Sequence, residues 1–240
     1  NRKFNSDIRK IREENVDALS LNFDFYKSLS SNSNISYGTE YVFNRVGSTG
    51  YNRNIDTTTS EAIASRYPDD SKWQTLAAYL SHKYKPNSNL TIQSGIRYNY
   101  VTIDADLTPN NTFYNLPFEM ANLDTSALTG TLGFSWNPNT TFIWKLNATT
   151  AFRAPNIDDI GKIFDSQPGL VVVPNSNLKP EYAYGGELGV TVNLKESVIF
   201  DCSAYYTYLD NALVRKSFEV DGVSQIEYDG DLSEIQAIQN

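Results

Sequence analysis

The stretch Phe142-Ile143-Trp144-Lys145-Leu146-Asn147-Ala148-Thr149-Thr150-Ala151-Phe152-Arg153 decides the fold. Phe142, Trp144, Leu146, Ala148, Thr150 and Phe152 form one alternate set, set against Lys145, Asn147, Thr149 and Arg153. Successive side chains of an extended strand point to opposite faces, so a period of two gives one face suited to lipid and one suited to water. A helix would repeat every three to four residues, and the β-branched and aromatic residues crowded here favour a strand. The segment is also long enough to cross a bilayer, which takes about 9–11 residues in a tilted strand.

The same split recurs outward from this segment. Leu188, Val190, Val192 and Leu194 oppose Glu187, Thr191 and Asn193, and Leu128, Leu132, Phe134 and Trp136 oppose Thr129, Thr131 and Ser135. Leu90, Ile92, Ile96, Tyr98 and Tyr100 oppose Thr91, Gln93, Arg97 and Asn99. Leu19, Leu21, Phe23 and Phe25 alternate with Ser20, Asn22 and Asp24, and Tyr37, Thr39, Tyr41 and Phe43 with Ser36, Gly38, Glu40 and Asn44. Between Trp73 and Tyr84, Leu76, Ala78 and Leu80 are expected to share the apolar face, and Val198, Phe200, Cys202, Ala204, Tyr206 and Tyr208 oppose Asp201, Ser203 and Thr207. Eight long strands are expected. A soluble barrel or sandwich would show the same alternation with the apolar face turned inward.

Short polar turns fall at residues 31–34, 86–89, 137–140 and 195–197, and successive turns lie 55, 51 and 58 residues apart at Asn32, Asn87, Pro138 and Glu196. Between them lie long connections rich in Asp, Asn, Pro and Ser, at roughly 54–70, 108–125, 156–180 and from Phe218 onward. Short turns alternating with long loops characterise outer-membrane barrels, whose periplasmic turns are short and extracellular loops long. The fold class is therefore all-β: an antiparallel transmembrane β-barrel section of about eight strands.

Composition agrees. The 240 residues are 40% apolar and 20% charged, with 16 Tyr, 12 Phe and 3 Trp, an abundance suited to the aromatic girdles of such barrels. Mean hydropathy is −0.43 and no apolar run is long enough for a membrane helix. A net charge of −8 without a basic tract argues against nucleic acid as a partner. Cys202 is alone, so it forms no disulfide within the chain and no thiolate metal cluster. Asn1 is not an initiator Met and residues 235–240 end without a closing strand pattern, so the chain is expected to be an excerpt.

Two motifs carry a family resemblance. Phe152-Arg153-Ala154-Pro155-Asn156, followed after a loop by Pro174-Asn175-Ser176-Asn177-Leu178-Lys179-Pro180-Glu181, resembles the barrel of TonB-dependent outer-membrane receptors, in which a Phe-Arg-Ala-Pro segment ends one strand and Asn-Pro-Asn-Leu-Lys-Pro-Glu opens the next. Ser176 replaces the family's proline, and Asn177, Leu178, Lys179, Pro180 and Glu181 keep the pattern. Pro155 lacks a ladder donor where a strand must stop, and Pro180 keeps Lys179 extended where the next begins. Residues 235–240 also look like the approach to a further strand of such a barrel. The resemblance implies that residues 1–240 are one partial barrel domain, a middle-to-late section of a 22-stranded barrel whose plug is not in this chain. It further implies the bacterial outer membrane as location and the uptake of a scarce ligand, most often a ferric siderophore, with energy from the TonB complex. The partners implied are outer-membrane lipid, TonB through the plug, and an iron chelate or similar small ligand. A passive porin-like pore or small structural outer-membrane barrel is the alternative, since eight strands can close on themselves.

The candidate ligand-binding residues at the extracellular mouth are Arg153, Asp158, Asp159, Tyr182 and Tyr184. Arg153 lies on the polar face near the outer mouth, where it would attract an anionic chelate; its competing role is to pair with a neighbouring strand's carboxylate such as Glu187. Asp158 and Asp159, with Asp165, would attract a cation or a basic group, as would Asp104 with Asp106 and Asp69 with Asp70, although hard cations need several converging oxygens. Tyr182 and Tyr184 would either anchor at the interface or line the mouth. His82, the one histidine, lies near the short-turn side, where interfacial packing suits its ring. No nucleophile and base pair, no phosphate-cradling loop and no metal motif stand out, so neither an enzyme nor a cofactor is expected.

Overall fold

The computed structural model describes residues 6–114, 116–167, 169–194, 198–228 and 231–240. In chain order the elements are β1 (Ile8–Ser30), β2 (Ser33–Asn54), β3 (Ser60–Ala62), β4 (Ser71–Asn87), β5 (Leu90–Asp104), α1 (Thr108–Tyr114), β6 (Leu123–Trp136) and β7 (Phe142–Arg153). They continue with α2 (Ile157–Ile160), β8 (Phe164–Gln167), β9 (Leu170–Val172), β10 (Glu181–Leu194), β11 (Val198–Asp210), β12 (Val214–Ser217), β13 (Gln225–Tyr228) and β14 (Asp231–Gln239). The eight expected strands are β1, β2, β4, β5, β6, β7, β10 and β11, and they lie side by side in that order, each antiparallel to its neighbours. β1 and β11 stand at opposite ends of the order, so the sheet is an open segment of a barrel. The turn expected at 195–197 lies outside the described residues.

Register settles the faces. Residues directly opposite across a ladder share one face. Phe23 pairs with Thr39, Thr39 with Ala78, Ala78 with Tyr98 and Tyr98 with Leu128. Further round, Leu132 pairs with Ala148, Ala148 with Gly186 and Gly186 with Tyr206. The apolar sets of all eight strands therefore form one continuous face, and it is exposed, with Leu128 at 59% and Leu146 at 51% of their full accessibility. An inward-facing soluble core would bury these side chains.

The other face is polar and internally bonded. Arg97 pairs with Glu40 at 3.3 Å and donates from Nε to Asn99 at 2.8 Å. Tyr79 reaches across Gly38 to hydrogen-bond Asp24, and a Cβ on Gly38 would lie 2.9 Å from the Tyr79 ring, so only glycine leaves that path open.

β1 and β2 run for 23 and 22 residues, about twice what a bilayer crossing takes, and project at the long-loop end. There β12, β14, β9 and β8 form a second sheet, with β13 beside β14. The buried apolar core lies in this layer. Ile163, Val171, Val173, Tyr228, Ile235 and Ala237 make one cluster, and Ile103, Ala105, Leu107, Ala121, Ile160 and Leu178 another. Residues 235–240 return to the rim of the large sheet, where Asn240 Nδ2 donates to the carbonyls of Lys179 at 3.1 Å and Asn211 at 2.7 Å.

One interruption marks the large sheet. β5 holds β6 as far as Leu123 and β10 holds β7 as far as Arg153, but the ladder between β6 and β7 runs only from Trp136–Trp144 to Thr131–Thr149.

A charge at mid-height of the exposed apolar face tests its assignment. Leu146→Arg is expected to cost about 2–4 kcal/mol in the unfolding of the full native polypeptide from lipid vesicles. Asn147→Arg, one residue on and on the polar face, should cost far less, and equal costs would contradict the two-faced sheet.

Candidate functional site

The first motif is built around the end of β7. After Arg153, the buried Pro155 ends the ladder and Asn156 caps the short helix α2. Asn156 Oδ1 accepts from the backbone N–H groups of Asp158 at 2.9 Å and Asp159 at 3.1 Å, and Asp159 Oδ2 accepts from the Asn156 N–H at 3.0 Å, a reciprocal capping box. Arg153 Nη2 then donates to Asp159 Oδ1 at 2.9 Å and Oδ2 at 2.7 Å. The Asp159 side chain is only 9% exposed, so charge-assisted bonds satisfy a carboxylate that has lost most of its water. The strand end is thereby clamped to the first turn of the loop. Arg153 pairs here with Asp159 and not with Glu187, which accepts from Asn147 Nδ2 at 3.4 Å. The strand pattern suggested a cross-strand partner, whereas the tight turn at Pro155 folds the chain back on itself.

Asp158 binds elsewhere. Its Oδ1 accepts from the Tyr67 hydroxyl at 2.7 Å, and the buried Lys162 lies 3.0 Å away, one helical turn on. Burial raises the Tyr67 pKa, and the bond to Asp158 raises it further, to about 12. For Asp158 burial acts upward, yet the bonds from Tyr67 and Lys162 and the neighbouring positive charge together hold it below its ordinary value. This contact ties the loop after β2 to the loop after β7. Asn110 of α1 ties a third, accepting from Ser65 N–H at 3.1 Å and donating to the Ser65 carbonyl at 3.3 Å.

The second motif closes the layer at its other side. Leu178 is buried against Ile103 and Ile160. Asn175 Nδ2 donates to the Ile238 carbonyl at 2.8 Å, Lys179 N–H donates to Asn240 Oδ1 at 2.7 Å, and Glu181 accepts from Leu213 N–H at 2.9 Å. Both motifs are thus joints between strand ends and the folded loops.

The five candidate residues separate into two places. Arg153 and Asp159 meet directly, with Asp158 beside them on the same helix. Tyr182 and Tyr184 lie instead on the apolar face, in a ladder of rings running Phe152, Tyr182, Tyr184, Tyr208 with centroids 6.2, 6.4 and 6.4 Å apart. His82 is stacked on Tyr84 at 6.0 Å near the short turns and contacts Ser33 Oγ at 2.8 Å. Asp69 accepts from Ser48 N–H at 2.9 Å and Asp70 pairs with Arg45, while the Asp165 side chain lies outside the described residues. Among the described residues no three acidic, His or Cys side chains converge as a metal site. Sequence reasoning missed Tyr67, Asn110, Asn156 and Lys162. The capping-box spacing of Asn156 to Asp159 and the four-residue spacing of Asp158 to Lys162 were visible signals; Tyr67 and Asn110 have none, because their partners are distant in the chain.

The profile of the family described as "TonB dependent receptor-like, beta-barrel" matches residues 2–231. Among solved structures, the copper transporter OprC is similar at 11% identity with a TM-score of 0.68, over 95% of this chain and 33% of its own. The hemophore receptor HasR of Serratia marcescens, solved as a double mutant with its hemophore HasA and heme, is 13% identical with a TM-score of 0.66, over 96% of this chain and 38% of that one. The siderophore receptor PirA from Acinetobacter baumannii is 16% identical with a TM-score of 0.64, over 95% and 32%. At such identities the likeness is one of fold, and the chain spans about a third of each. No curated protein matches in sequence.

Two measurements test the rim. Asp159→Asn removes the charge that Arg153 clamps; it is expected to cost about 1–3 kcal/mol locally and to speed proteolysis within residues 156–180, whereas an unchanged cleavage rate would mean the clamp holds nothing. The raised Tyr67 pKa means that the folded state keeps this proton more tightly than the unfolded chain. Its contribution is present below the ordinary value of about 10 and is lost as pH rises through about 12. Phenolate absorbance, taken as wild type minus Tyr67→Phe, should appear only in that upper window, and an ordinary midpoint would show that the bond to Asp158 is not made.

Proposed function

Because the chain belongs to the TonB-dependent receptor β-barrel family, we propose that it is a section of an outer-membrane receptor that binds a ferric siderophore outside the cell and imports it with energy delivered through TonB. Barrels of this family lie in the bacterial outer membrane, and the family consists of receptors and transporters. The observation that carries the reading is the pairing of an exposed apolar belt over eight strands with a packed layer of loops at the long-loop end. The belt suits lipid, and the loop layer gives a rigid outer surface on which binding residues can be held.

The side chains this section offers support that ligand class. Haem ligation usually asks for an imidazole, and the single His82 sits on the apolar face at the short-turn end. Copper favours soft or imidazole ligands, of which the loops offer one exposed thioether, Met120, while Cys202 lies on the membrane-facing strand β11. The loops offer amides, hydroxyls, carboxylates and the half-exposed Arg153, which suit an anionic oxygen-rich chelate. In this reading Arg153 meets the chelate with the guanidinium face that Asp159 leaves free, Asp158 and Asp159 set its position, and Tyr182 and Tyr184 hold the rim at the lipid interface. Outer-membrane lipid surrounds the belt, and a plug outside this chain faces the polar side and transmits the pull of TonB. The open order of the sheet, with β1 and β11 unjoined, supports a larger barrel over a self-closed pore of eight strands.

Growth of a deletion strain under iron limitation, with single iron sources supplied in turn, tests this. Loss of growth on one ferric chelate, restored by the intact gene, is expected. Loss confined to haem would overturn the ligand class, and undiminished growth on every source would overturn the uptake reading. Exchange of residues 156–180 between paralogues is expected to change chelate preference; unchanged preference would place specificity in other loops.

A further inference from the structure

The parting of β6 from β7 is more than a short ladder. Above Thr131–Thr149, the N–H of Gly130 donates 2.8 Å to the hydroxyl oxygen of Thr150, a β7 side chain. An open hollow of about 670 Å³ lies over the parted strands, walled by Leu128, Leu132, Ala148, Tyr184, Tyr206 and Tyr208. By register all six belong to the apolar face. A second cavity of about 370 Å³ opens beside Tyr79 and Arg97 of the polar face and shares Gly130, Thr131, Thr149 and Thr150 with the first. The two hollows flank the same parted strands, one on each face of the sheet.

We propose that this cleft is a binding site for one acyl chain of a bilayer lipid; the proposal rests on the membrane reading above. Depth is the first argument. Below the cleft, Phe134 and Trp136 face Leu146 and Trp144 across an intact ladder, and above it Phe152 and Tyr182 form the aromatic rim, so it opens within the belt that meets hydrocarbon. The cleft is continuous with that belt, so the molecule next to its mouth is a lipid tail. Shape is the second. Gly130 and Ala148 leave the floor without bulky side chains, so an apolar hollow remains that the protein's own side chains do not fill. Polarity is the third. An added peptide strand would need a row of backbone partners, and the first of these, the Gly130 N–H, is already taken by the Thr150 hydroxyl. An alkyl chain needs no partners and gains from every apolar contact.

Native mass spectrometry of the full native polypeptide, extracted from membranes and exchanged through mild detergent, reads the site directly. Wild type is expected to retain one lipid, Ala148→Phe to fill the floor and lower occupancy at least about tenfold, and Leu188→Ala, on the same face but outside the cleft, to retain it. Heat-modifiable mobility on gels checks that each variant is a folded barrel. No retained lipid in wild type, or equal occupancy in all three, would overturn the site while leaving the receptor reading intact. A polypeptide that fractionates away from membranes would overturn both.

Discussion

Everything in this structure depends on one constraint: backbone N–H and C=O groups at the level of the apolar belt have no water to bond and must be paired by the neighbouring strand. Antiparallel ladders from β1 to β11 meet that demand, and the period-two pattern fixes their register, since a one-residue slip would turn every apolar side chain to the polar face. Tight turns between β1 and β2 and between β4 and β5 keep neighbours in step. Where the ladder between β6 and β7 stops, the Thr150 hydroxyl takes the place of a strand partner for the Gly130 N–H.

Stability is distributed unusually for a chain of this size. The sheet buries little by itself, and its broadest apolar surface is exposed. The tightly packed side chains, such as Val171, Val173 and Ala237, are in the loop layer, where β9 and β14 pair in parallel. Polar contacts stitch the layer to the strands: Arg12 of β1 donates to the Tyr228 hydroxyl at 3.2 Å, and Arg153 clamps Asp159. A surface built this way is held in one shape by its own contacts.

The sheet was legible in the sequence because its signal is local. Each strand's faces can be read from about ten consecutive residues, and all eight were assigned to the correct side. The upper half of β1 was not legible, because residues from Arg9 to Asp17 carry charges on both faces and pair with β2 beyond the belt. The loop layer was read as irregular, since β9 and β14 find each other only across some sixty residues of chain. At the site, both motifs were located correctly as strand ends. Arg153 was given a partner on the next strand, however, because nothing in the spacing shows that Pro155 turns the chain back to bring Asp159 within reach. Tyr182 and Tyr184 were left between two roles, and register places both on the apolar face.

A nitroxide scan along β7, from Phe142 to Arg153, tests the central claim most directly, with collision rates to oxygen and to a water-soluble relaxant measured in the full native polypeptide in bilayers. The structure predicts a period of two, with the positions of Phe142, Trp144, Leu146 and Ala148 open to oxygen in the lipid and those of Ile143, Lys145 and Asn147 shielded from it. A flat profile, or maxima at the odd positions, would contradict a membrane-spanning strand whose apolar face meets the bilayer.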